Sequence, residues 1–424
     1  MTAGAPDRAG DAGQLRLLLE ELCCDLCRFE HAANDGVRPE DVRIDRECAL
    51  GTPGAFADLR VAPTGLPPYV VEVKFGYSTE DLLRSLRRKY SCPADALRGV
   101  GRIVLVTDLE GRAGRADLEP QAERCLHENF ELEVWDERRL SELLRRHFGV
   151  ELKAVDAENL LHIRHAVDRT IGFYAFGGPS PETYEHDPLK AELLWHFGFS
   201  RLRQIREAGR VTPRDVLPPG TYRGAGVLIA DLCSFSSYVR DTPDSAIVRE
   251  SLTSFYSKAR YQILDGEGMV YQFVGDQVIG LFGLPERTPD YLRRTLEVAR
   301  VLADIGDSIS HHWQRRIDRV QTSGGLHLGL AIGDLQIVSL RPFSRTHVGA
   351  IGDCINIAAR LTAAAKPGEI VISNSFHDAL AEEDRAGFEE LEPVEARNVG
   401  RIKAWGQRRG QGRRMPAVEA SCGR

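Results

Sequence analysis

Two aspartates stand 45 residues apart, each closing an apolar, strand-like run: Asp231 after Val227-Leu228-Ile229-Ala230, and Asp276 after Met269-Val270-Tyr271-Gln272-Phe273-Val274-Gly275. A carboxylate at the mouth of a hydrophobic strand costs desolvation energy unless it is paired or holds a cation. Two of them brought together by adjacent strands repel, and divalent metals relieve that repulsion. Downstream, Gly352-Asp353-Cys354-Ile355-Asn356-Ile357-Ala358-Ala359-Arg360-Leu361 sets an amide and a guanidinium four residues apart on one helix face. Taken alone, that pair reads as the solvated side of an amphipathic helix. With the aspartates, the set supplies what phosphoryl transfer uses: metal-holding carboxylates, an amide and a fixed cation.

Positioning these groups takes strands and helices in a definite order. The pattern predicts strand 225–232, helix 243–264, a hairpin over 268–282 turning at Gly275-Asp276, and helix 288–316. Strand 324–332, hairpin-like residues 334–349, helix 353–365 and strand 369–373 follow. Upstream, residues 12–150 alternate helix-like and strand-like stretches, and 151–220 reads as a helical linker or transducer. Asp187-Pro188 marks a helix start, and Pro218-Pro219-Gly220 closes the linker. The first dozen residues and the tail from Gln407 to Arg424 read as disordered.

A chain of 424 residues exceeds what one core sustains, so two or three domains are expected. A net charge of −7 argues against a surface coated for nucleic acid or anionic membrane. No apolar run approaches the ~20 residues that span a bilayer, and residues 1–14 lack a signal-peptide core, so the expected location is the cytoplasm. Cys24 and Cys27 have CxxC spacing, with Cys23 and His31 close by. Leu15, Leu18, Leu19, Leu22, Leu26 and Phe29 recur around them at helical steps, which favours buried thiols over a zinc site.

From about Gly224 to Trp405 the chain resembles the catalytic domain of class III nucleotidyl cyclases. The resemblance rests on five ordered blocks: the Asp231 strand, the Gly275-Asp276 turn, Leu328-Gly329-Leu330-Ala331-Ile332-Gly333-Asp334, the Asn356/Arg360 helix, and Lys366-Pro367-Gly368-Glu369-Ile370-Val371-Ile372-Ser373. It implies an α/β (α+β) chain whose segment 221–408 has a ferredoxin-like βαββαβ core. The implied reaction is attack of a ribose 3′-hydroxyl on the α-phosphorus of the same nucleoside triphosphate, releasing pyrophosphate. By family position Asp231 and Asp276, with the Leu232 carbonyl, hold two divalent ions, Mn2+ or Mg2+. Phe235 and Ser236 lie in the segment that approaches the phosphates. Asn356 orients the ribose, Arg360 stabilises charge on the α-phosphoryl group, and Arg397, with Arg401 next, contacts the triphosphate. In the family the aspartates and the Asn/Arg pair come from different subunits, so a homodimer with shared sites is implied.

Relatives that use ATP place lysine four residues before the second aspartate, and aspartate or threonine three before the glycine of the Gly-Asp-x-x-Asn block. Guanylate enzymes carry glutamate and cysteine there. This chain has Gln272 and Gly349. That departure resembles the bacterial pyrimidine cyclases of antiphage (Pycsar-type) signalling, which make cyclic UMP or cyclic CMP as a messenger read by a separate effector protein. An amide both donates and accepts, so it can read either pyrimidine. UTP is placed ahead of CTP, and adenylate cyclase is the alternative.

In the N-terminal zone Asp58 stands on one strand-like run, and Glu72 and Lys74 share one face of the next. This D…ExK arrangement resembles the PD-(D/E)xK, restriction-endonuclease-like fold, in which carboxylates hold a metal and the lysine assists the attacking water. A sensor domain that touches nucleic acid only if it is active or sensing is the expectation. A metal-dependent nuclease carrying a degenerate cyclase module is a further alternative, and a scaffold with interaction functions alone is the third class.

Overall fold

The computed structural model describes residues 8–50, 55–92, 95–108, 115–177, 188–210, 212–242, 244–316, 324–340, 347–396 and 400–408. Two compact units emerge. The first takes Met1–Val216 with Tyr238–Asp265, and the second takes Leu217–Ser237 with Gly266–Arg424.

The first unit runs α1 (Arg8–Asn34), β1 (Val42–Ala49), β2 (Phe56–Pro63), β3 (Tyr69–Val73), α2 (Thr79–Tyr90), β4 (Arg102–Val106), α3 (Arg115–Glu123), β5 (Glu131–Trp135), α4 (Glu137–Phe148), α5 (Ala157–Phe176), α6 (Pro188–Glu207) and α7 (Pro213–Val216). Its sheet has the order β1-β2-β3-β4-β5. The first three strands are antiparallel and the last three parallel, as a helical crossover between β3 and β4 requires. β2 alternates, burying Ala57, Leu59 and Val61, whereas β3 is buried along its whole length. α1 buries Leu19, Leu22 and Leu26 together with Cys23, Cys24 and Cys27. Burial drives those thiols up, Cys24 to about 11 and Cys27 to about 12, so they stay protonated and behave as small hydrophobes.

The helices of the 151–220 stretch belong to this first unit. Phe29 of α1 meets Phe148 edge-on at 5.2 Å and Tyr174 of α5 at 5.6 Å. After α8 (Phe235–Asp241) comes α9 (Ser245–Asp265), which also packs in the first unit. Gln262 Nε2 donates to the Arg46 carbonyl at 3.1 Å, Ser257 Oγ donates to Glu21 at 3.0 Å, and the Arg46 guanidinium lies 3.2 Å over the Tyr261 ring.

The second unit contains β6 (Gly220–Leu232), β7 (Met269–Val274), β8 (Gln277–Phe282), α10 (Tyr291–Arg316), β9 (Leu326–Leu340), β10 (His347–Ile351), α11 (Asp353–Ala364), β11 (Glu369–Ser373), α12 (Asn374–Ala379) and α13 (Glu382–Arg385). Short strands β12 (Glu389–Glu390), β13 (Val394–Ala396), β14 (Gly400–Ile402) and β15 (Ala404–Arg408) end it. The main sheet runs β12-β15-β11-β9-β6-β8-β7, with β10 paired to β9. Within it, β9-β6-β8-β7 is antiparallel throughout, the 4-1-3-2 order of a ferredoxin-like βαββαβ core.

Three expectations need correction. Residues 8–12 are not disordered but open α1, which runs on unbroken into the apolar stretch that anchors it. β9 does not stop near residue 332 but continues through Gly333-Asp334 to Leu340, because Asp334 Oδ1 accepts the Gly224 N–H and keeps that stretch on β6. Gln407 is not disordered tail: it is buried in β15, opposite Ile370, and accepts from Arg300 at 3.1 Å. Residues 409–424 lie outside the described residues.

Candidate functional site

β6 lies at the centre of its sheet because both faces of Val227-Leu228-Ile229-Ala230 are buried. The strand delivers Asp231 to its end, where the residue stands opposite Gln277, the neighbour of Asp276. Gly275 makes the turn possible, with φ at 62°, the left-handed region that favours glycine. The Leu232 N–H donates to the Asp276 carbonyl at 3.3 Å, locking the turn to the strand end. The two aspartates are thus brought together from adjacent strands, both half-buried.

Their electrostatics are those of a charge pair without a counterion. Burial, then repulsion from Asp276, raises Asp231 to about 6, and burial raises Asp276 as well. Among the described residues no lysine or arginine pairs with either. Two acidic oxygens sets and a nearby backbone carbonyl, with no protein cation, form a hard oxygen donor set that suits a divalent ion. The Leu232 side chain is a buried hydrocarbon with no donor atom, so only its backbone carbonyl can contribute.

Ser234, just beyond, also takes a left-handed backbone (φ 60°). Cys233 N–H donates to the Gly325 carbonyl at 3.0 Å, which ties this segment to the start of β9. Phe235 places its ring 6.1 Å from the buried Trp313 ring, while Ser236 is exposed.

Asn356 and Arg360 sit on the exposed face of α11, whose opposite face buries Cys354, Ala358, Leu361 and Thr362. The helix lies almost on the backbone of β9. A Cβ on Gly329 would come 2.3 Å from the Ala358 carbonyl oxygen and 2.5 Å from Thr362 N. Neither Asn356 nor Arg360 makes a side-chain hydrogen bond or ion pair among the described residues, and none joins them to Asp231 or Asp276.

Gln272 is exposed on β7, and Gly349 is buried on β10. Their neighbour Tyr271, to which the residue pattern gives no role, bonds through its hydroxyl to both backbone groups of Ala350, next to Gly349. The signal that would have found it, a strand irregularity, is not written in the residue pattern. Arg397 lies outside the described residues; Arg401 is exposed on β14, opposite Glu395.

In the first unit, Asp58, Glu72 and Lys74 do converge. Lys74 Nζ is 2.5 Å from Asp58 Oδ2 and 2.6 Å from Glu72 Oε2. Lys89 of α2 donates to both Glu72 oxygens at 2.8 and 3.0 Å, and the Tyr90 hydroxyl donates to Glu72 Oε1. Burial opposes ionisation of Asp58, but Lys74 and Lys89 hold it well below the usual carboxylate range. This donor set does not fit a metal as it stands, because ammonium groups already occupy the carboxylate oxygens. Among the described residues no group of three or more His, Cys, Asp or Glu is arranged to hold a metal.

Residues 217–408 match the profile of the adenylate and guanylate cyclase catalytic domain. That segment, under half of the chain, is similar to a class III adenylate and guanylate cyclase catalytic domain. An uncharacterized protein of Mycobacterium tuberculosis is 28% identical over 169 residues, covering 39% of this chain and 29% of the relative. An adenylate cyclase of Mycobacterium bovis is 23% identical over 222 residues, 52% of this chain and 46% of that protein. The chain therefore spans less than half the length of either curated relative. Among solved structures, the adenylyl cyclase CyaB from P. aeruginosa aligns with a TM-score of 0.40 at 18% identity, covering 44% of this chain and 94% of that one. The guanylyl cyclase Cya2 aligns with a TM-score of 0.38 at 20% identity, covering 44% and 93%. Among the described residues, no helix is long and apolar enough to cross a membrane.

Proposed function

We propose that this chain cyclises a pyrimidine nucleoside triphosphate, UTP ahead of CTP, to the 3′,5′-cyclic nucleotide and pyrophosphate, as a second messenger in antiphage defence. The observation that carries the cyclase reading is the Asp231–Asp276 pair, two half-buried carboxylates without a cation partner among the described residues, in a domain that also exposes Asn356 and Arg360. Asp231, Asp276 and the Leu232 carbonyl would hold two divalent ions, Mn2+ or Mg2+. Those ions supply acidification of the 3′-hydroxyl and neutralisation of the triphosphate. The exposed amide of Asn356 would orient the ribose. Arg360 would sit where negative charge develops on the α-phosphoryl oxygens, a contribution of ~3 kcal/mol or more for a preorganised donor. Phe235 and Ser236 would line the phosphate approach and Arg397 would meet the triphosphate.

The placement of the two pairs on different elements, with no bond between them among the described residues, supports a homodimer. Asn356 and Arg360 have no bond to the aspartates of their own chain, and Val274 and Ile351 expose apolar surface at 50% and 64% beside the base-reading strands. Gln272 and Gly349 support the pyrimidine reading, since neither purine pattern is present. The name of the Mycobacterium bovis relative favours adenylate cyclase as the second reading. The deciding experiment incubates purified protein with each of the four triphosphates and Mn2+. Cyclic UMP or cyclic CMP as main product is expected, lost in Asp231→Ala and Arg360→Ala; cyclic AMP as main product would end the pyrimidine reading.

The first unit's αβββαβ order, with Asp58 on β2 and Glu72 and Lys74 at the end of β3, supports a restriction-endonuclease-like fold. The filled carboxylates support a sensor rather than a nuclease. Metal-dependent nicking by the parent protein, abolished in Lys74→Ala, would promote the nuclease instead. The effector that reads the product is a separate protein in this scheme.

A further inference from the structure

β7 is not a regular strand. Val270 stands opposite Gly280 and Gln272 opposite Ile279, so Tyr271 is the extra residue of a β-bulge. A bulge twists its strand and re-aims the bulged side chain. Here the phenol reaches β10, with which β7 shares no ladder among the described residues: β7 pairs with β8, and β10 with β9. One hydroxyl then serves both backbone groups of Ala350. The Ala350 N–H donates to Tyr271 Oη at 3.0 Å, and Oη–H reaches the Ala350 carbonyl at 3.4 Å.

The placement of this bond gives it meaning. Tyr271 precedes Gln272 and Ala350 follows Gly349, the two positions at which the reading above places base recognition. Gln272 is exposed and its strand lies at the sheet edge, so the β7–β8 ladder alone leaves its distance from Gly349 free to vary. A hydroxyl that both donates and accepts removes that freedom. We propose that Tyr271 is a positioning residue for base selection: through Ala350 it fixes the width of the slot between Gln272 and Gly349, and so excludes bases of the wrong size. The inference rests on the cyclase reading and deepens it, because selectivity is assigned to a spacing as well as to the Gln272 amide.

The test compares full-length parent protein, Tyr271→Phe, Gln272→Ala and the double variant, each with UTP, CTP, ATP and GTP in Mn2+. Phenylalanine keeps the ring and its packing and removes only the hydroxyl. The ratio of kcat/KM for the preferred triphosphate over the next best is expected to fall about fivefold in Tyr271→Phe, the size of one hydrogen bond, through KM with kcat retained. The double variant is expected to lose less selectivity than the two single losses combined, since the spacing and the Gln272 amide act on one slot. An unchanged ratio in Tyr271→Phe, or a loss of kcat equal for all four nucleotides, would overturn the assignment and leave a merely structural bond. No turnover by the parent protein with any triphosphate would overturn the cyclase reading itself, a result distinct from either.

Discussion

Asp231 and Asp58 are both aspartates near strand ends in buried surroundings, and their neighbours drive them in opposite directions. Asp231 faces burial and a second carboxylate and is raised to about 6, so its charge costs the fold stability at neutral pH. Asp58 faces two ammonium groups and is lowered, so its charge stabilises the fold. At pH 8 without divalent metal, Asp231→Asn should raise the midpoint of thermal unfolding by the equivalent of about 1 kcal/mol, after allowing for partial exposure to water. The same variant should lose the further rise that Mn2+ gives the parent. Asp58→Asn should lower the midpoint, by the equivalent of up to ~3 kcal/mol, because it leaves two buried ammonium groups to share the single carboxylate of Glu72. The pH dependence has a definite sign. A depressed carboxyl stabilises above its unfolded value near 4 and loses that contribution as pH falls toward its folded value, so the gap between parent and Asp58→Asn should narrow steadily as pH falls below about 4. Scanning calorimetry across that range checks both, and a gap that widens in acid would contradict the assigned partners.

Elements carry the site by how closely they approach. α11 can present Asn356 and Arg360 only because β9 offers it a glycine: at Gly329 any side chain would strike the helix backbone at Ala358 and Thr362. Backbone on both sides cannot rotate away, so Gly329→Val must push the helix off the strand. A loss of about 1–3 kcal/mol of stability and a fall in activity of at least tenfold are expected, with the Asp231–Asp276 end left intact. Retained Mn2+-induced stabilisation alongside lost turnover would show that the helix, not the metal end, was displaced; unchanged turnover would refute the close approach. The Leu-Gly-Leu-Ala-Ile-Gly-Asp block thus acts as a seat, its Asp334 capping Gly224 and its glycine clearing the helix.

For the whole molecule, the candidate residues Asp231 and Asp276 and the pair Asn356 and Arg360 are joined by no bond among the described residues of one chain. If two copies share their sites, mixing Asp231→Ala with Arg360→Ala should rebuild one intact site in each mixed dimer. Two inactive proteins would then regain about a quarter of parental turnover at equal amounts, since half the dimers are mixed and each has one good site of two. No recovery after co-refolding, with dimers present by light scattering, would show that one chain holds a complete site. α9 adds a feature of organisation: it links β6 to β7 along the chain, and so joins the strands that bear Asp231 and the Asp276 turn, yet its contacts with Glu21, Arg46 and Arg28 put it in the first unit.

Strand and helix order in the cyclase region was legible from residue pattern, because hydrophobic alternation and Gly-Asp turns are local properties that neighbouring residues set. The candidate groups were legible too, since a carboxylate ending an apolar strand carries a desolvation cost, and the Asn356/Arg360 pair, ordinary on its own, gains meaning beside two such carboxylates. The chain's own residues also told that Glu72 and Lys74 share a face. They did not tell that Lys89 and Tyr90, one helix later, close over Glu72, which turns a metal-like motif into a filled ion cluster. Nor did they tell that a bulge aims Tyr271 at Ala350, or that α9 packs with the first unit. Each of these depends on which distant segments meet, and that is fixed by the summed packing of the whole fold and not by any local preference.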